Sequence, residues 1–261
     1  MTKKSKQVDL VVVSLIFIIA SSASLIFNFK PLIVGIVTLL IPSLYLLFRK
    51  SENLLKIIIA VAVFGGLFGF IFDFIVTLNN GWIVSDLVVP FRLFDFYPLV
   101  DDILGFMLMT LFIITFYEHF LDDYRIKKIS SSIWRAIIPA LIAIVLILVL
   151  YFINPNILSV PYVYLVFGTL AIVKLVQVGI SQKRFLLKFL YMSIFFFFVW
   201  FTLELICLSN GGWKFTGQYV GIININNLIF PIEEFVFWFI LYAATIVAYY
   251  ENYEDRKVVE E

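Results

Sequence analysis

Six acidic residues stand in or beside apolar stretches of this chain: Asp73, Asp101, Asp102, Glu204, Glu233 and Glu234. A carboxyl group in hydrocarbon is costly, and such residues mark proton relays, ion paths or polar ligand sites. They recur in a fixed order. Asp73 is followed by Gly81-Trp82, Pro98-x-x-Asp101 and Tyr117-Glu118. Glu204 is followed by Gly212-Trp213, Pro231-Ile232-Glu233-Glu234 and Tyr250-Glu251. The early elements repeat at a numbering offset of 131 and the late ones at 133, which reads as a two-residue insertion in the second loop. On that alignment Asp101 corresponds to Glu234, Asp102 to Phe235 and Val100 to Glu233. Glu233 is then peculiar to the second copy and Asp102 to the first.

Asp73 and Glu204 have no lysine or arginine near them in the outer half of their own helix, so a shared proton is the expected way to hold them. That suits a proton donor or relay; anchoring of a loop by hydrogen bonds is the structural alternative. For Asp101 and Glu234 the alternative is compensation of a helix dipole just after a proline. The chain holds 30 Phe, 13 Tyr and 5 Trp. Most serve packing, yet Phe195 to Phe198, Trp200 and Phe201 flank Glu204, where ring faces could stabilise developing positive charge. His119 and Cys207, the only histidine and cysteine, read as structural. With no histidine or cysteine cluster, no glycine-rich phosphate loop and no dinucleotide fingerprint, the chemistry is expected to need no cofactor and no metal.

The elements that must position these groups are helices in a bilayer. The 261 residues are 63% hydrophobic and 14% charged, with mean hydropathy +1.06, too little polar sequence to cover a soluble core of this size. Apolar runs fall near 9–27, 31–48, 57–77, 98–117, 133–151, 161–179, 186–206 and 229–250. Most reach the roughly 20 residues a membrane span requires. The fold class expected is an all-α integral membrane protein. Its eight transmembrane helices form a parallel tandem repeat, four in 1–125 and four in 126–261. With the N-terminus inside, fifteen lysines and arginines fall in inner segments against three in outer loops, Lys30, Arg92 and Lys214. Both termini of a multi-pass cell-membrane protein are therefore expected in the cytoplasm. Topology accounts for the basic loops, so no nucleic acid partner is expected. The acids near the outer ends of the third, fourth, seventh and eighth spans can share one layer. Glu118 and Glu251 lie 17 residues beyond Asp101 and Glu234, about 25 Å lower at 1.5 Å per residue.

These motifs resemble the small membrane-integral carotenoid cyclases, which occur as paired short subunits or as a fused tandem. The resemblance rests on Asp73 with Asn79-Asn80-Gly81-Trp82, Pro98-Leu99-Val100-Asp101-Asp102 and Tyr117-Glu118-His119-Phe120. The second copy supplies Glu204, Gly211-Gly212-Trp213-Lys214-Phe215, Pro231-Ile232-Glu233-Glu234 and Tyr250-Glu251-Asn252-Tyr253. It implies a lycopene β-cyclase that closes linear lycopene ends into β-ionone rings without net redox change, giving β-carotene through γ-carotene. It also implies that Glu233 and Glu234 are essential. Glu204 and Glu234 would form the proton-transfer pair, with Glu233 an alternative donor and Asp73 and Asp101 completing the network. Trp82, Phe198, Trp200, Phe201 and Trp213 would line the substrate site. The implied partners are lycopene or a related carotenoid, membrane lipid and other membrane enzymes of carotenoid synthesis. The first copy departs from Pro-x-Glu-Glu, which leaves a C50 carotenoid cyclase or hydratase as an alternative. A proton-coupled carrier of lipids or small molecules is the competing class.

Overall fold

The computed structural model describes residues 2–50, 54–91, 100–122, 124, 126 and 128–254. Eight helices are long and apolar enough to cross a membrane: α1 Lys3–Ile26, α2 Pro31–Arg49, α3 Leu54–Leu78, α4 Val100–Asp122, α5 Ser131–Ile153, α6 Val163–Ser181, α7 Leu186–Ser209 and α8 Glu234–Asn252. Local chemistry explains their ends. The Thr2 hydroxyl caps α1 by accepting from the Ser5 amide, and Pro31 opens α2 at a position where its missing N–H costs nothing. Asn28, Asn80 and Tyr162 take positive φ between helices.

Four helices widen locally. In α2 the stretch Ile36–Leu40 carries an i→i+5 pattern just before Pro42, whose nitrogen has no hydrogen to donate back to the preceding turn. In α3 the widened stretch Val61–Leu67 contains Gly65-Gly66. A Cβ on Gly65 would sit 2.8 Å from the Met107 Cα, so glycine permits the close crossing of α3 and α4. The last turn of α4, Glu118–Asp122, and the first turns of α8, Glu234–Leu241, are widened as well.

The core lies where α4 and α8 meet, with α3 packed on α4 and α7 on α8. Outside them, α2 packs on α4, α6 on α8, α1 on α7 and α5 on α3. Each of these contacts made by a helix of one sequence copy thus has a counterpart made by the matching helix of the other. α5 is the most peripheral, showing apolar Ile138, Ile142, Val145 and Val149 outward, as a lipid-facing helix should.

Two departures from expectation concern the loops. The run drawn at 229–250 does not begin as helix. Leu228–Pro231 is a strand, β4, paired antiparallel with β3, Ile222–Ile225, across Asn226 and Asn227. Both asparagines have positive φ, the geometry of a tight two-residue hairpin. A short apolar strand and the start of an apolar helix look alike by composition. The two Gly-Trp loops also pair with each other: β1, Ile83–Val84, runs antiparallel to β2, Trp213–Lys214. Ile83 and Lys214 hold equivalent places in the two sequence copies and face one another in this ladder.

Candidate active site

The two Gly-Trp loops fold back over the helix ends they follow. The Trp82 indole Nε1 donates to Asp73 Oδ1 at 3.2 Å, and Trp213 Nε1 donates to Glu204 Oε1 at 2.9 Å. Thr77, one turn beyond Asp73, also donates to Asp73 Oδ1 at 3.2 Å. Each acid on α3 and α7 therefore has its orientation set by an indole from the loop that follows it. The turns are tight enough to need glycine: a Cβ on Gly81 would lie 2.4 Å from Val76 Cγ1, and one on Gly212 would lie 2.5 Å from Pro31 Cγ.

At the heads of α4 and α8 the paired acids divide their work. Asp101 accepts from the Val88 and Val89 amides at 2.6 and 2.9 Å. Glu233 accepts from the Val220 amide at 2.6 Å. Both anchor the loop that precedes their helix. The next residues turn inward to the cavity: Asp102 lies beside Asp73, and Glu234 lies beside Glu204 and Tyr164. By their contacts Asp101 resembles Glu233 and Asp102 resembles Glu234, a different pairing from the numerical one of Asp101 with Glu234. The numbering offset is 131 at the indoles, 132 at these acids and 133 at the Tyr-Glu pairs. One added residue lies in the second loop, and the other falls where α8 widens over Glu234–Leu241, since a widened helix accommodates one extra residue.

Four of these acids border a partly open cavity between α2, α4, α6, α7 and α8 under the paired loops. Its walls include Asp101, Asp102, Glu204 and Glu234, and four of the five tryptophans, Trp82, Trp200, Trp213 and Trp238. Trp200 is fully buried, and its indole N–H has no partner among the described residues. Tyr164, buried against Phe72, Trp82 and Phe215, brings a hydroxyl to the acid layer. In the loop above, the Tyr219 hydroxyl donates to the Gly81 carbonyl, and burial pushes it up to about 12, so it remains a neutral donor.

Of the expected residues, the structure brings Asp73, Glu204, Glu234, Trp82, Trp200 and Trp213 together. Asp101 borders the cavity with its oxygens on loop amides, and Glu233 sits behind it as the matching anchor. Phe198 is not there: it is 64% exposed on the outer side of α7. Phe201 packs against Phe197 and Phe239 rather than the cavity, and Phe195 and Phe196 stack around Phe116 toward the other face. Asp102 and Tyr164 were missed. The sequence signal for Asp102 was present, since matching acid pair to acid pair finds it; a tyrosine in an apolar helix carries no such mark.

A second polar layer lies at the opposite face, near the start of α1 and the end of α8. Lys56 is buried between Glu118 at 2.5 Å, Glu254 at 2.6 Å and the Ile126 carbonyl at 2.8 Å. Lys188 meets Tyr117 Oη at 2.6 Å, Glu251 at 3.1 Å and Asp122 at 3.2 Å. Lys56 also lies over the Tyr250 ring and Lys188 over the Tyr117 ring. Carboxyl oxygens of Glu118, Asp122 and Glu254 fall within 4.8 Å of one another, the spacing of a cation site, but the two ammonium groups already serve them. Nearby, buried Asp9 is met by Tyr45 at 2.7 Å, Arg49 at 2.9 Å and His119 Nε2 at 2.9 Å, a structural setting for the only histidine. Comparison of the chain with known protein families, curated proteins and solved structures finds no match.

Proposed function

We propose that this chain is a membrane carotenoid cyclase that closes the acyclic ends of lycopene, or a near relative, into β-rings by proton transfer. The observation that carries the reading is the gathering of Asp102, Glu204 and Glu234 around a cavity walled by four tryptophans, with Asp73 tied to the same wall through Trp82. Two carboxyl groups that face each other away from water hold one proton between them, which makes each pair able to give or take a proton.

Ring closure asks for those abilities in sequence. A proton from the Glu204–Glu234 pair adds to the terminal alkene and leaves a tertiary carbocation. A second alkene of the same end group attacks it, forming one carbon–carbon bond and moving the positive charge into the new ring. Loss of a proton from the adjacent carbon to the Asp73–Asp102 pair restores a double bond. Atoms and electrons balance without an oxidant or reductant. The indole faces of Trp200, Trp213, Trp82 and Trp238 shield the cation from water and stabilise its charge. Tyr164 and Trp213 hold the donor pair in place, and Trp82 and Thr77 hold the acceptor pair.

In this reading residues 1–125 and 126–261 are two copies of one four-helix unit related by a two-fold axis along the membrane normal, with both termini in the cytoplasm. The matched helix contacts, the Ile83–Lys214 pairing and the reciprocal lysine–tyrosine contacts support that arrangement. The test is expression in lycopene-accumulating cells with chromatography of extracted pigments. Monocyclic and then bicyclic products at the expense of lycopene are expected. Unchanged lycopene beside abundant, well-folded protein would overturn the activity, and pH-gradient-driven uptake without product would assign the acids to a carrier instead.

A further inference from the structure

Beside the acid cavity lies a second, partly open hollow formed between α3, α6 and α8. The two hollows share three residues, Phe106, Tyr164 and Trp238, so a wall one side chain thick separates them. The lining of the second hollow includes Leu170 and Ala171 of α6, both exposed on the outside of the bundle, which makes this stretch of α6 its outer rim. It runs along α8 from Trp238 to Tyr249, about 16 Å at 1.5 Å per residue. Its lining is almost wholly apolar and aromatic, and the Thr245 hydroxyl is a buried polar exception with no partner among the described residues.

The dividing wall is built of rings. Phe72 stacks on Trp238 with centroids 6.0 Å apart, and Phe106 meets Trp238 edge-on at 5.6 Å. Two helix glycines seat rings at this groove: a Cβ on Gly69 would lie 2.8 Å from Phe106 Cβ, and one on Gly168 would lie 2.3 Å from the Phe237 ring. The rings of the partition also touch one another, Phe72 meeting both Phe106 and Tyr164, so the wall opens by a concerted change of rotamers.

We infer that this groove receives the linear apolar tail of the ligand whose end group occupies the acid cavity, entering sideways from the bilayer between α6 and α8. The inference rests on the cyclisation reading for the identity of the end group. The shared wall, one side chain thick at Phe106, Tyr164 and Trp238, places the two hollows end to end and argues for one ligand reaching both when those rings turn aside. The polar acid cavity offers an end group its chemistry, while the apolar groove holds a hydrocarbon chain parallel to lipid tails. An aqueous entry would require a long hydrocarbon to cross water, whereas this one does not.

The experiment uses the full chain in lipid nanodiscs with lycopene. Ala171→Trp fills the groove mouth far from the carboxyl groups, and Val173→Trp adds the same bulk at an exposed position of α6 outside the groove. Ala171→Trp is expected to lower lycopene retention and kcat/KM by about tenfold or more. Inhibition by myrcene, a short acyclic terpene with a comparable end and no tail, should stay unchanged, as should every property of Val173→Trp. A photo-crosslinking residue at position 171 should capture lycopene. Wild-type protein that retains and converts lycopene while Ala171→Trp matches it, or while position 171 captures only phospholipid, overturns the groove and leaves the activity standing. Wild-type protein that neither retains nor converts lycopene overturns both.

Discussion

On the proposed cyclisation, replacing Glu234 or Glu204 with Gln keeps size and most hydrogen bonding but removes the acidic proton, so turnover should fall by about 10²–10⁴-fold with membrane protein levels unchanged. Asp102→Asn should cost a similar factor, because Asp102 is the member of its pair that reaches both Asp73 and the cavity. Asp101→Asn and Glu233→Gln should instead lower protein stability more than per-molecule turnover, since their oxygens hold loop amides. Lycopene loss per unit of folded protein measures all of these effects. Equal losses at anchors and inward acids would show that the division of work is mistaken. Much of this site could be read without coordinates, because an acid in an apolar run stands out and a tryptophan in the following loop repeats with it. What could not be read was which acid of each doublet turns inward. That depends on helix phase at α4 and α8, and the insertion shared between a loop and a widened helix hid the phase. Phe198 shows the same limit: its sequence distance from Glu204 is short, but its place on the turn of α7 sends it to lipid.

Helix crossing at the level of whole elements is decided by small residues. Gly65 lets α3 approach the backbone of α4 at Met107, and Gly65→Ala must push the two apart. The expected loss is about 1–3 kcal/mol, the usual scale for overpacking, seen as a lower thermal midpoint in detergent. Gly105→Ala is the control. Its added methyl meets no atom within 4 Å, so the midpoint should hold or rise slightly as a helix glycine is removed. The eight helices themselves were legible from apolar runs, with ends shifted by a few residues. The β3–β4 hairpin was not, since Ile229, Phe230 and Ile232 continue the apolar run into α8 without a compositional break. Its Asn226-Asn227 pair was the readable sign. The β1–β2 ladder had no local sign, being a tertiary contact between loops that lie far apart along the chain.

For the molecule as a whole, stability should depend on pH through the second polar layer. Glu254 lies just beyond α8, and burial pushes it up to about 8 from an ordinary 4.5, against the pull of Lys56 and aided by repulsion from Glu251 and Asp122. Between those values the folded chain holds a proton that the unfolded chain has released, so stability should decline as pH rises from about 4.5 to about 8. Thermal midpoints across that window should fall for the wild type and flatten in Glu254→Gln; a flat wild-type profile would remove Glu254 from the account. Orientation is tested separately by reporter fusions, expected inside after Lys128 and outside after Asn80. Lys56 and Lys188 are among the fifteen basic residues counted in inner segments, yet both lie at the starts of long apolar spans, which was the sign of their buried role. Their arrangement has a consequence for how the chain is made. Lys56 finds Glu118 within the first four helices, and Lys188 finds Glu251 within the last four. Each set thus brings its own counter-ion, and the first can settle in the bilayer while the second is still on the ribosome. The cross-contacts, Tyr250 and Glu254 on Lys56, and Tyr117 and Asp122 on Lys188, need both sets present, so they tie closure of the bundle to completion of the chain's second half.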